Sequence, residues 1–157
     1  MPNHTENRVI LSHNDSQQID AIHNVMNTDN AELCHHLIPE PLDDNGVSAE
    51  GWYDWRCDNW GTKWDIYNTE CSRMDDNTLV MSFNTAWSPP IPIFDKLVDM
   101  GFEVDARYLD EGWMYIGEYV NGDDWSTEDV DNIGSIRPEL DDEFGISQMV
   151  EEMKDDE

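Results

Sequence analysis

A chain of 157 residues with 36 Asp and Glu against 8 Lys and Arg has a formal net charge of -28, which argues against direct binding to DNA, RNA or anionic membranes. Seven Trp, five Tyr, four Phe and eight Met are too many large apolar groups for a disordered acidic segment, so a folded domain is expected. No apolar run approaches the length that spans a bilayer, Met1–Asn7 lacks the parts of a signal peptide, and an odd set of cysteines (Cys34, Cys57, Cys71) fits reduced thiols in a cytoplasmic protein.

In chain order, Arg8–His13 is a short apolar run between polar residues and reads as a first strand. Asp15, with Gln18 three residues on, starts a helix near 16–27 that puts Ile19, Ile22 and Met26 on one face. Asn27–Gly51 is rich in Asn, Asp and Pro and reads as an irregular excursion holding at most a short element. Trp52–Tyr67 is dense in aromatics, Lys63–Asn68 reads as a strand, and Thr78–Phe83 is a second one across the turn Asp75-Asp76-Asn77. Pro89 and Pro90 open a helix with the stripe Ile93, Phe94, Leu97 and Val98, and Gly101 stops it. Phe102–Tyr108 and Trp113–Val120 alternate apolar and polar residues around Asp110-Glu111-Gly112, as a hairpin does. The order strand, helix, strand, strand, helix, strand, strand predicts an α+β, ferredoxin-like split βαβ sandwich with an extra edge strand over residues 1–120.

Residues 121–157 are expected to form a separate acidic C-terminal extension. Residues 118–157 hold fifteen Asp and Glu against Arg137 and Lys154 alone; solvation in a saline host is the plain alternative to a functional use, but a general solubility pressure would have spread the charges more evenly. Ile146, Met149, Val150 and Met153 fall on one face of a short amphipathic helix whose other face is acidic.

Two aromatic motifs stand out, Trp52-Tyr-Asp-Trp-Arg-Cys-Asp-Asn-Trp-Gly-Thr-Lys-Trp-Asp65 and Phe83-Asn-Thr-Ala-Trp-Ser-Pro-Pro90. With Met1-Pro-Asn-His4, Asn7-Arg8-Val9 and Gly112-Trp-Met-Tyr-Ile-Gly-Glu118, they resemble the YubB-like ferredoxin-fold family of phage and conjugative-plasmid proteins over about residues 1–120. The resemblance implies a ferredoxin-like fold and a mobile-element origin, which makes the expected cytoplasm that of a host cell. It brings no catalytic residues, because the family has no established activity. The acidic tail lies outside the pattern.

The residues themselves point to no enzyme and no cofactor. Cys34-His35-His36 has the right donor types for zinc but no partner pair at ligand spacing. Asp43-Asp-Asn-Gly46 and Asp123-Asp124 do not make a calcium loop. A phosphate-binding glycine loop and a nucleophile with an evident base are both missing. The Trp cluster beside Arg56 and Lys63 could stack bases, or else Trp60, Trp64 and Trp87 fill a core.

What remains is the charge. Carboxylates in place of phosphates would occupy the basic channel of a host nucleic-acid-binding protein, such as a nuclease, restriction complex or other defence complex, and so inhibit it. The expected contacts are Asp123, Asp124, Glu128, Asp129, Asp131, Asp141, Asp142, Glu143, Glu151 and Glu152. In a second reading the tail helix is a binding peptide whose Ile146, Met149, Val150 and Met153 enter a groove on a host protein. An edge strand could also pair with its copy in a homodimer.

Overall fold

The computed structural model describes residues 3–130 and 136–155, with side chains in the last helix as far as Glu152. Its elements are β1 (His4–Ser12), α1 (Ser16–Met26), α2 (Leu33–Leu37), α3 (Trp52–Asn59), β2 (Tyr67–Asp75), β3 (Thr78–Ala86), α4 (Ile91–Asp99), β4 (Glu103–Asp110), β5 (Ile116–Val120), β6 (Asp123–Thr127), α5 (Pro138–Phe144) and α6 (Ile146–Asp155). The strands form one sheet in the order β2-β3-β1-β4-β5-β6, with every neighbouring pair antiparallel. The first four positions of that order, with α1 and α4 as the crossovers, make a ferredoxin-like α+β fold.

Alternation along β1 decides which face is covered. Thr5, Asn7, Val9 and Leu11 are buried, while Glu6, Arg8 and Ile10 between them point the other way. Val9 and Leu11 join Leu79, Met81, Phe83 and Val104 from the sheet, Ile19 and Ile22 from α1, and Ile93, Phe94 and Leu97 from α4 in the main core. Helix α1 starts as its cap residue predicts, with the Asp15 carboxylate accepting from the Gln17 N–H at 3.0 Å. Helix α4 ends at Asp99, and Gly101 takes φ 93° where the chain turns into β4.

Two expectations need correction, and one element was not foreseen. The strand placed at Lys63–Asn68 begins only at Tyr67, because Asp65 is spent elsewhere: its carboxylate accepts from the backbone N–H groups of Cys34 and His35, at 2.9 and 3.0 Å, and so caps α2. The aromatic block at Trp52–Asn59 is helical, although it has no apolar stripe to announce it. Its support is tertiary, since the Arg56 guanidinium lies 4.7 Å from the Trp52 ring and 5.1 Å from the Trp60 ring.

The other correction concerns the edge and the tail. Two strands lie beyond β4 where one extra was expected, because Asn121-Gly122 makes a two-residue turn with φ 48° and 106° that returns the chain as β6. The boundary expected after Val120 therefore falls in the turn of a hairpin within the same sheet. Beyond it, α5 and α6 pack on the sheet face opposite α1 and α4. There Leu140, Phe144 and Ile146 close over Leu109 and Ile116 in a second buried cluster, with Val130 and Ile136.

Candidate acidic interface

Positive charges are scarce, and the fold consumes most of them. All five arginines meet a carboxylate of the chain: Arg8 meets Glu6 (2.8 Å) and Glu143 (3.7 Å), Arg56 meets Glu40 (2.6 Å), Arg73 meets Asp20 (2.5 Å), Arg107 meets Asp105 (3.9 Å) and Glu143 (3.6 Å), and Arg137 meets Glu118. Lys63 places its ammonium 4.9 Å from the Trp64 ring, 5.1 Å from Trp87 and 5.9 Å from Tyr53. Lys96 is left exposed on α4. The charge shown to solvent is thus even more one-signed than the composition implies.

Rigid elements display part of the acid. Asp123 and Asp124 lie on the edge strand β6, and the Tyr108 hydroxyl donates to Asp124 at 2.5 Å. The Tyr119 hydroxyl donates to Asp95 of α4, also at 2.5 Å. Burial first, and then the hydrogen bond to Asp95, hold Tyr119 well above the usual tyrosine range; the charges of Asp95, Asp99 and Asp124 all act in the same direction. The same causes, burial and the Asp124 carboxylate, raise Tyr108. Carboxylates from α4 and β6 therefore converge around Tyr119, an acidic arrangement that sequence spacing could not reveal.

The tail acids divide into two groups. Glu128, Asp129, Asp142, Glu151 and Glu152 are exposed, and Asp131 lies outside the described residues. Asp141 and Glu143 are engaged inside the fold. The Asp141 carboxylate accepts from the Ser147 N–H at 2.6 Å and from the Ser147 hydroxyl, which holds its carboxyl below the usual range. Glu143 binds two arginines, and its backbone carbonyl accepts from Arg8 Nη1 at 2.5 Å. These two are structural residues rather than contacts kept free for a partner.

The apolar stripe of α6 is also in use. Ile146 is 0% exposed in the second cluster and Val150 packs against that cluster. Met149 is partly exposed, and the Met153 side chain lies outside the described residues. A helix whose first anchor is a core residue cannot offer that face to a groove without leaving its own domain.

Other chemistry finds little purchase. An open cavity of about 490 Å³ is lined by Glu32, His35, Leu42, Val47 and the Glu40–Arg56 pair, in which Arg56 holds the Glu40 carboxyl below its usual range. Cys34 is fully buried, and burial followed by the Asp65 charge pushes its thiol up, the opposite of what a nucleophile needs. Among the described residues no group of three His, Cys, Asp or Glu is placed to hold a metal ion. No helix among them is long and apolar enough to cross a membrane.

Residues 63–152, more than half of the chain, match the ferredoxin-like domain of Api92-like proteins. The chain belongs to that family. The Api92-like match runs through β6, α5 and most of α6, so it takes in most of the acidic segment after Asn121. Among solved structures, the chain is similar to protein Api92 from Yersinia pseudotuberculosis, with 18% identity and a TM-score of 0.47 over 64% of this chain and 40% of that one. The match spans about two fifths of that relative's length. No curated protein matches its sequence.

Proposed function

We propose that this Api92-like domain is a phage or plasmid accessory protein, of the YubB-like kind its Trp motifs resemble, that inhibits a host nucleic-acid-binding protein. It works by occupancy: its carboxylates stand where phosphates would, against the Lys and Arg of a basic channel. The observation that carries this reading is that all five arginines pair with carboxylates of the chain itself, which partly neutralises the cations that would otherwise break up the acidic surface, although Arg8 and Arg137 stay 39% and 44% exposed. Asp95, Asp99 and Asp124 add carboxylates on rigid elements, so little order is lost when they meet a partner.

The structure also refines the acids to be tested. Asp141 and Glu143 support the fold and Asp124 accepts from Tyr108, so the neutralised set is Asp123, Glu128, Asp129, Asp142, Glu151 and Glu152, each changed to Asn or Gln. The wild-type chain, immobilised in host lysate, is expected to retain a basic DNA- or RNA-binding protein at about 50 mM salt, lose most of it at about 200 mM, and release it to added duplex DNA. The neutralised variant is expected to retain little. Equal retention by the two, or a partner that duplex DNA does not displace, would rule out mimicry.

A further inference from the structure

Trp87 holds a backbone conformation that large side chains avoid. Its φ is 70°, in the left-handed region where the Cβ crowds the backbone. The fold pins it there. Its N–H donates to the Asn3 carbonyl at 2.9 Å, and its own carbonyl accepts from the Tyr115 hydroxyl at 2.6 Å. The following residue is fastened too, since the Ser88 carbonyl accepts from the Thr85 hydroxyl at 2.7 Å and the Ser88 hydroxyl donates to the Gly61 carbonyl.

Behind this loop stand Thr5, Asn7 and Thr85, all fully buried, with Asn7 Nδ2 donating to Thr85 Oγ1 at 3.0 Å and the Thr5 hydroxyl paired with Tyr115. Polar groups in a core are costly unless satisfied, and here Asn7 Oδ1 is buried without a hydrogen-bond partner while the rest of the network fixes one loop. What that loop presents outside is an indole that remains 42% exposed, edge-to-face with the Tyr53 ring at 6.0 Å, itself 39% exposed. A strained residue over-determined by its surroundings, with a large aromatic turned outward, is the form a binding anchor takes.

We infer that Trp87 and Tyr53 form the anchor on which an arginine of the partner stacks. This inference rests on the reading of a basic partner and gives it a specific contact. The Lys63 ammonium lies 5.1 Å from the Trp87 ring and 5.9 Å from the Tyr53 ring, so the pair already binds the chain's own cation. A partner's guanidinium must displace it or stack on the ring faces it leaves open. Asp54 lies beside Tyr53, and Glu111 accepts from the His4 N–H next to the Asn3 that holds Trp87, so carboxylates flank the pair together with Lys63. A planar guanidinium both stacks on an aromatic face and matches those carboxylates, whereas a nucleic acid would bring phosphates toward them.

The test uses the full chain with labelled nona-arginine, nona-lysine and an oligo-dT strand, read by fluorescence anisotropy. Two variants are compared with wild type: Trp87→Asn, whose side chain tolerates the left-handed backbone, and Tyr53→Ala. Wild type is expected to bind nona-arginine about two- to fivefold tighter than nona-lysine, and both variants to bring that ratio toward one without changing the salt dependence of either peptide. An arginine preference that survives in both variants overturns the anchor, as does oligo-dT binding that depends on Trp87 in place of the arginine preference. Weak, salt-insensitive binding of both peptides by wild type would instead count against the acidic surface itself.

Discussion

Arg8 of β1 and Arg107 of β4 are direct partners across the antiparallel ladder, and the carboxylate of Glu143 reaches them from α5 at 3.7 and 3.6 Å. Two like charges opposite one another destabilise a sheet, so an anion shared between them relieves the pair while docking the tail. Replacing Glu143 with Gln is expected to loosen α5 and α6 before the rest of the protein. Arg8 is 39% and Glu143 31% exposed, so solvent screening limits the loss of stability to under about 1 kcal/mol. Amide hydrogen exchange reports it: faster exchange confined to 138–155 supports the latch, and exchange indistinguishable from wild type refutes it.

The second buried cluster makes the tail part of the cooperative unit. Leu140 is fully buried against Leu109 and Ile116 of the sheet, so Leu140→Ala removes core volume rather than surface. Urea unfolding should show one transition shifted by about 2–5 kcal/mol. A wild-type melting curve for this variant would make the tail an appendage.

Gly117 is needed because Tyr108 lies across it. A Cβ at that position would collide with the Tyr108 ring and hydroxyl, and would come within 2.6 Å of the Trp125 carbonyl oxygen. We expect Gly117→Ala to cost about 1–3 kcal/mol, seen as a lowered melting temperature, and to disturb the Tyr108–Asp124 hydrogen bond. A variant as stable as wild type would mean that the β5–β6 hairpin does not sit under Tyr108.

Alkali tests the tyrosine–aspartate pairs. Ionising Tyr108 or Tyr119 would put an anion against Asp124 or Asp95, and burial first, with the Asp110 charge and against the Thr5 hydrogen bond, pushes Tyr115 up to about 12. A folded pKa above the unfolded one contributes stability that is complete below the unfolded pKa, near 10, and is lost as pH rises through the folded value. Tyrosinate absorbance should therefore lag the normal titration, and unfolding should begin above about pH 10. Five tyrosines titrating together near the free value in a chain that stays folded would contradict the pairing.

Much of the fold was legible because it rests on local periodicity. The alternation in β1, β3 and β4 and the stripes of α1 and α4 repeat within a few residues, and the Asp15 cap and the Gly101 stop are read from single positions. The β5–β6 hairpin carried its own signal in Asn121-Gly122, overlooked because the acids after it read as a tail. Helix α3 carried no such signal. Its aromatic residues show no helical stripe, and Arg56 joins Trp52 to Trp60 only once the chain has folded.

The candidate interface was the least legible part. Asp141, Asp142 and Glu143 are adjacent acids in the sequence, yet the outer two hold the fold and Asp142 faces solvent. Composition and periodicity by themselves determined a ferredoxin-like sheet and a strongly acidic chain, because hydrophobic spacing and charge count are properties of neighbouring residues. Tertiary structure alone decided which carboxylates meet arginines and which remain on the surface. It also decided that Trp87 faces outward, because ion pairs, hydrogen bonds and burial depend on groups brought together from distant parts of the chain.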